Sequence, residues 1–303
     1  MPGVEKRLEL KEFHFSSPIL RGAARPFIVM GIVNVTPDSF FDGGRYFSID
    51  NAVERACRMV DEGAQVVDIG GQSSRPGAQR VAVDEECRRI IPVIENVVKK
   101  VKAPVSVDTF SSVVAKRALD AGATWINDIS AGRFDAAMPR VAAAKECRII
   151  LMHSRDTPRT MQDHPEYGDV VAEVCAELRE RIDVFIAAGV SSENIIIDPG
   201  IGFAKRFEDN ITLLSRMGDL VAMGHPVCVG ASRKSFIGHI TGKGPEERLL
   251  GSLASIAPAF EAGATLFRVH DVKETVQFLE VLHAIREGNT HDGIRESARA
   301  RPE

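Results

Sequence analysis

The stretch FIVMGIVNVTPDSFFDGG, residues 27–44, decides how the rest of the chain is read. It opens on an unbroken apolar and β-branched run, Ile28 to Val33, that follows Pro26 and stops at Asn34. A strand with one wet face alternates, whereas a continuous run predicts a strand buried on both faces of a parallel sheet. Thr36, Pro37 and Asp38, then Gly43 and Gly44, mark turns. Phe40 and Phe41 lie between them, in a loop with no core of its own. Two readings stand open. Either the rings tuck beneath the loop, or a mobile loop at the strand's carboxyl end closes over a flat substrate.

The same rhythm continues outward. Short apolar runs recur at 65–70, 104–108, 124–128, 148–153, 194–198, 226–230 and 265–270, which with 27–34 makes eight strands. Helix-period segments separate them. Residues 49–62 place Ala52, Val53, Ala56, Met59 and Val60 on one face, behind Ser48 or Asp50 as N-cap. Residues 83–100 repeat this with Ile90, Ile91, Ile94 and Val97, and 111–121, 136–144, 169–188, 207–217, 246–262 and 271–287 complete the set. Gly63, Gly122 and Gly263, and more loosely Gly189, each close a helix just before a strand, the place for a left-handed residue.

Strands alternating with helices imply right-handed βαβ units. Eight units over about 260 residues predict a single (β/α)8 TIM barrel, an α/β fold, spanning 27–287. The competitor, an open doubly wound sheet, expects G-x-G-x-x-G after its first strand, and that motif is missing here. Residues 1–26 read as a short N-terminal extension closing the bottom of the fold, and 288–303 as a flexible tail.

The totals narrow the classes. A chain with 44% hydrophobic and 26% charged residues and a net charge of −4 has no basic field for nucleic acid. One Trp and two Tyr argue against an aromatic nucleic-acid platform. No apolar run reaches the length of a membrane span, and the first residues carry no secretory apolar region. Five scattered cysteines without a CxxC pair fit reduced thiols in a cytoplasm and argue against zinc.

A barrel carries its site at the carboxyl ends of its strands. Those ends read Asn34, Asp68, Asp108, Asn127 followed by Asp128, His153, Asp198, Lys234 just beyond the seventh run, and Arg268 with His270. Any single Asp or Asn there is explained as the N-cap of the next helix. Together, side chains pointing into one mouth make a cluster that costs desolvation unless a polar ligand satisfies it. Asp108, Asn127 and Asp198 suit a heterocycle rich in N–H donors, as in guanine. Arg268, His270 and Asn34 suit an anion such as phosphate, and Asn34 with a phosphate group suits Mg²⁺. There is no HExxH or phosphate-binding GKS/T loop, and no G-x-S-x-G elbow that would make His153 and Ser154 part of a triad. Arg233 and Lys234 read better as ligand contacts than as a Schiff-base pair.

With these residues in view, the chain resembles the dihydropteroate synthase family. The resemblance rests on GIVNVTPDSFFDGG (31–44), DIGGQSSRPGA (68–78), SVDT (106–109), INDIS (126–130), LMHSRDTPRTMQ (151–162), DPGIGF (198–203), GASRKSFIG (230–238) and RVHDV (268–272). It implies condensation of 6-hydroxymethyl-7,8-dihydropterin diphosphate with 4-aminobenzoate, a step of folate biosynthesis and the target of sulfonamides, by a cytoplasmic homodimer using the helices around 249–262. By the resemblance, Asp108, Asn127, Asp198 and Lys234 hold the pterin edges, with Met152 as a further substrate contact. Arg268 stacks on the pterin and, with His270 and Asn34, holds the diphosphate. Asn34 also ligates Mg²⁺. Phe40, Ser74, Arg75 and Pro76 wall the aminobenzoate pocket beside Ser232 and Lys234. Asp38 and Asp108 stabilise the pterin cation, so that Asp38, Asp108, Lys234 and Arg268 form the catalytic set.

The chain departs from the family pattern in places. Gln72 stands where a Glu is usual and Ser74 where a Thr is. Ser154 and Asp156 follow the fifth strand in place of Met-x-Gly, and Lys205-Arg206 precede Asp209-Asn210. The alternatives are a methyltetrahydrofolate methyltransferase, which shares the barrel, or a non-catalytic pterin-binding paralogue. Methyl transfer without diphosphate release would mark the first, and pterin binding without turnover the second.

Overall fold

In the computed structural model the apolar runs form strands and the segments between them helices, with residues 18–20, 25–36, 45–73, 77–157, 159–161 and 165–288 described. The strands are β1 (Ile28–Asn34), β2 (Val66–Gly70), β3 (Val105–Asp108), β4 (Trp125–Asp128), β5 (Arg148–Met152), β6 (Ile195–Asp198), β7 (Cys228–Val229) and β8 (Leu266–Val269). The helices are α1 (Arg45–Asp61), α2 (Val83–Lys100), α3 (Ser112–Asp120), α4 (Met138–Ala144), α5 (Val170–Ala187), α6 (Phe207–Ser215), α7 (Met217–Val221), α8 (Ser235–Thr241), α9 (Leu249–Glu261) and α10 (Val272–Glu287).

All strand pairs are parallel, in the order β6-β5-β4-β3-β2-β1-β8-β7. A parallel bridge from Ile197 to Val227 joins β6 to the residues entering β7 and closes the barrel. Each strand is sandwiched between barrel interior and helix shell, so both faces are apolar at its amino end. Outward residues such as Val29, Val33, Val67, Ile69, Val107, Ile126, Ile149, Ile197 and Phe267 pack against the helices in the main core. Inward residues Ile28, Met30, Val66, Trp125, Ile150, Ile196, Cys228 and Leu266 form a second, inner cluster at the amino ends. Ile19 and Leu20, in a 3₁₀ turn at Pro18–Leu20, join this inner cluster and cover the barrel floor. That described piece is a turn; residues 1–17 and 21–24 of the N-terminal extension, Asp38, Phe40, Ser74, Arg75 and Pro76, and the tail beyond residue 288 lie outside the described residues.

The repeated helix-ending glycines behave as expected, with φ of 105° at Gly63, 108° at Gly122, 100° at Gly189 and 101° at Gly263. Asp169 caps α5 by accepting from the Val171 and Ala172 amides at 3.0 and 3.1 Å. Three expectations are corrected. Ser48 and Asp50 do not cap α1, because that helix begins earlier, at Arg45. The segment 207–217 is two helices, because Arg216 leaves the helical region at φ −110°, ψ 29° between α6 and α7. A short helix, α8, sits in what the sequence left as loop before α9.

Candidate active site

Along most strands the inward side chain is polar at the carboxyl end; β5, which ends inward in Met152, is an exception. Met30 pairs in register with Arg268, Ile32 with Asp68, Gly70 with Asp108, Asp108 with Asn127, and Met152 with Asp198. The polar residues therefore share the inner face in a polar tier above the apolar floor, which Arg268 reaches from the register of Met30. Parallel pairing sets this tier, because residues in register on neighbouring strands share a face.

Arg268 is the centre of that tier. Its Nε donates to Asp68 Oδ2 at 2.6 Å and its Nη2 to Asp108 Oδ2 at 2.5 Å. Asn127 Nδ2 donates to the same Asp68 oxygen at 3.0 Å. Asp68 is fully buried and its second oxygen has no hydrogen bond among the described residues. Burial pushes the Asp108 carboxyl up to about 7; Arg268 works against this, while Asp68, Glu86 and Asp128 add to it. Burial lowers the pKa of Arg268, but Asp68 and Asp108 outweigh that and hold it firmly charged. Two buried carboxylates against one guanidinium leave an excess of negative charge, which suits a ligand able to donate N–H bonds or to carry a developing cation.

Asp198 enters from the far side of the mouth. Its Oδ1 accepts from the Gly200 amide at 2.7 Å, and burial raises its pKa. Lys234, the N-cap residue of α8, lies with Nζ 4.0 Å from the centre of the Phe203 ring. Burial and then the neighbouring Arg268 bring its pKa down to about 8, against the pull of Asp198 and Asp108. Ser232 Oγ lies 3.0 Å from His270 Nδ1 and accepts from the His270 amide at 3.2 Å. Burial, reinforced by Arg268 and Arg233, lowers His270 to about 4, so its imidazole is neutral near pH 7. Met152 joins Phe110, Ile129, Met161 and Phe203 in a separate apolar cluster beside the mouth. Asn34, half-buried at the end of β1, lines a cavity of about 450 Å³ with Asn51, Glu54, Arg55 and Arg58. Arg55 also donates to the His270 carbonyl at 2.8 Å.

The structure brings together the inward-facing residues singled out from the sequence and turns three others away. His153 follows Met152 by one residue and so points outward, where its ring meets Lys205 at 3.0 Å and Glu177 at 3.2 Å. Arg233 also faces away from the mouth. It sits at φ 57°, with Nε and Nη2 on Asp271 at 3.0 and 2.6 Å and Nη1 on Glu246 at 2.7 Å, so of the Arg233-Lys234 pair Lys234 alone turns inward. Asp128 turns outward and ties down the next loop through Ser130 and Gly132.

Two residues gained importance that the sequence did not reveal. Asp68 stood among the strand ends without a role, yet it anchors both Arg268 and Asn127. Phe203 was read only as part of DPGIGF. The departure at Gln72 also finds its reason. Gln72 Nε2 donates to Glu86 Oε2 at 3.1 Å, and Glu86 is buried with its pKa raised by that burial. A glutamate at 72 would set a second carboxylate against the first, and the amide avoids that repulsion.

Comparison with known proteins agrees with this geometry. The family profile described as Pterin binding enzyme matches residues 30–270. A dihydropteroate synthase of Bacillus subtilis is 43% identical over 269 residues, covering 88% of this chain and 91% of that protein. A Xanthomonas albilineans dihydropteroate synthase solved with 4-aminobenzoic acid superposes with a TM-score of 0.81 at 46% identity, covering 86% of this chain and 93% of that one. The same organism's enzyme in complex with 7,8-dihydropteroate gives 0.78 at 44% identity, with the same coverage. The chain thus belongs to the pterin-binding enzymes, and among them to the dihydropteroate synthase family.

Proposed function

We infer that the chain catalyses the condensation of 6-hydroxymethyl-7,8-dihydropterin diphosphate with 4-aminobenzoate, giving 7,8-dihydropteroate and diphosphate in folate biosynthesis. The observation that carries this reading is the Asp68–Arg268–Asp108 chain, with Asn127 and Asp198 beside it, at the mouth of a barrel whose relatives were solved with 4-aminobenzoic acid and with 7,8-dihydropteroate. Asp108, Asn127, Asp198 and Lys234 take the pterin's donor and acceptor edges. Arg268 lies across the pterin face while its own charge is held by Asp68 and Asp108. Met152 and Phe203 supply apolar contact.

The diphosphate meets Asn34, Arg268 and His270. Ser232 Oγ accepts from the His270 amide and donates its own proton to Nδ1, which leaves Nε2–H to donate to a phosphate oxygen. His270 therefore contributes a hydrogen bond and not a full charge. As diphosphate leaves, positive charge grows on the pterin methylene, and the surplus of carboxylate around Asp108 stabilises it electrostatically. Asp38 supports the same cation. The aryl amine is a neutral nucleophile, so orientation and exclusion of water matter more than a strong base. Phe40, Ser74, Arg75 and Pro76 with Ser232 form the aminobenzoate pocket.

Mg²⁺ fits this donor set. Among the described residues no three His, Cys, Asp or Glu side chains converge on an ion. Asn34 offers an amide oxygen at the mouth, the sparse protein ligation expected of an ion held mainly by substrate phosphate and water. When bound it would neutralise charge on the departing diphosphate.

The test is a diphosphate-release assay. Release that needs the pterin diphosphate, 4-aminobenzoate and Mg²⁺ together is expected. Release without the amine, or methyl transfer from methyltetrahydrofolate instead, would overturn the reading. The working form is a homodimer through the α8–α9 face, in a reducing cytoplasm that suits its free cysteines.

A further inference from the structure

Behind β5 and β6, outside the mouth, lies a buried polar cluster that the reaction as described does not use. Lys205 is 3% exposed. Its Nζ lies 3.0 Å from His153 Nδ1, donates to the Phe203 carbonyl at 3.0 Å and reaches the His153 carbonyl at 3.4 Å. His153 is fully buried, and its Nε2 faces Glu177 Oε2 at 3.2 Å. Glu177 in turn takes Arg133 and Arg155, each at 2.8 Å. Of the residues that depart from the family pattern after β5, Ser154 touches this cluster through its carbonyl. Arg155 lies over the Tyr167 ring at 4.0 Å, the Ser154 carbonyl accepts from Arg133 at 3.0 Å, and Asp156 accepts from Thr157 and Thr160 at 2.7 Å each.

We propose that Lys205, backed by His153 and Glu177, is a positioning residue that fixes the loop after β6 and so aims Asp198 and Phe203 at the pterin. The route is short. Gly200 has φ 69° and lies so close that a Cβ there would strike the His153 carbonyl and stand 3.3 Å from Lys205 Nζ. The Gly200 amide is the group that orients the Asp198 carboxylate. Phe203, whose carbonyl Lys205 binds, carries the ring under Lys234 Nζ. One buried ammonium therefore ties together the backbone beneath two inferred pterin contacts.

The charge pattern agrees. Burial lowers Lys205 to about 7, and Asp198, Glu177 and Asp209 pull it back up while Arg155 opposes. Burial, then Lys205, lowers His153 to about 4, so Nδ1 is free to accept from the ammonium while Nε2 faces Glu177 Oε2 across 3.2 Å. Glu177 is drawn down to about 2, first by its contact with His153. A lysine with no role beyond packing would be expected as a methionine or leucine, since a buried ammonium costs several kcal/mol.

This inference rests on the assignment of Asp198 to the pterin, and the test separates the two. Lys205→Met keeps the stem and removes the donors. It should raise KM for the pterin diphosphate by about tenfold or more while KM for 4-aminobenzoate moves less than about twofold. In an Asp198→Asn background the Lys205→Met effect should largely vanish, because neighbours acting through one group are non-additive. Should Lys205→Met fail to fold, Glu177→Gln is read instead, and a rise of about threefold in the same KM is expected. Wild-type pterin KM in the variant that folds, or full additivity with Asp198→Asn, would overturn the positioning role. Wild-type kinetics in Asp198→Asn alone would overturn the pterin assignment itself.

Discussion

Asp108 shows what the site costs the fold. Its carboxyl is buried and its pKa is raised to about 7, mainly by that burial. A carboxyl raised in the folded state holds its proton where the unfolded chain has lost it, so its contribution to stability is full below about 4 and is lost as pH rises toward about 7. Asp108→Asn has no such proton to lose. The variant should therefore melt at or above wild type at pH 8, with the difference shrinking toward pH 5, while turnover falls by orders of magnitude. Melting curves across that range, beside steady-state rates, check both halves. Asp68→Asn should act through Arg268 and lower kcat/KM by about a hundredfold, since the buried guanidinium loses one of its two carboxylate partners. Equal kinetics in Asp68→Asn would remove the anchor role. The place of Asp68 on the inner face was legible in the sequence, because it shares the inward phase of its strand with the other polar residues, whereas its hold on Arg268 and Asn127 was not. His153 was misplaced because one residue beyond Met152 reverses the face. The split of Arg233 from Lys234 was not legible, because it depends on a left-handed turn at a non-glycine residue.

At the scale of elements, the strands and the long helices were readable because burial on both sides makes a strand continuously apolar and a one-sided helix periodic. α8 was not, since SFIGHIT is only two turns long and its period cannot stand out. Yet α8 presents Lys234 as its N-cap residue, and it packs against both α6 and α9. Gly251 in α9 is the contact point, where a Cβ would run into the buried Ile237 side chain. Gly251→Ala should therefore push α8 outward. Overpacking of this kind costs about 1–3 kcal/mol, and the displacement should also lower turnover through Lys234. A melting temperature and a rate both equal to wild type would show that the α8–α9 contact does not hold the lysine in place.

At the scale of the whole molecule, the fold separates its tasks: an apolar floor, a helix shell for stability, and a polar mouth that function makes costly. The outer surface carries one more feature that packing within the chain does not explain. Leu250 is 80% exposed and Ile240 61% exposed, on the mutually packed helices α9 and α8. Single exposed apolar residues are ordinary, but here two large ones lie on the element pair read as the dimer face. Leu250 is so exposed that Leu250→Asp should leave the monomer's fold intact. In a twofold interface each substitution appears twice, on facing copies of one patch. An uncompensated buried charge costs about 3–5 kcal/mol, so dimer affinity should drop by at least about a hundredfold. Sedimentation should show wild type at twice the chain mass and Leu250→Asp at the chain mass, with the melting transition of the variant becoming independent of concentration. The mouth lies within one barrel, so the monomeric variant should retain most of its turnover; a monomeric wild type, or a dimer untouched by the aspartate, would remove α8–α9 as the interface.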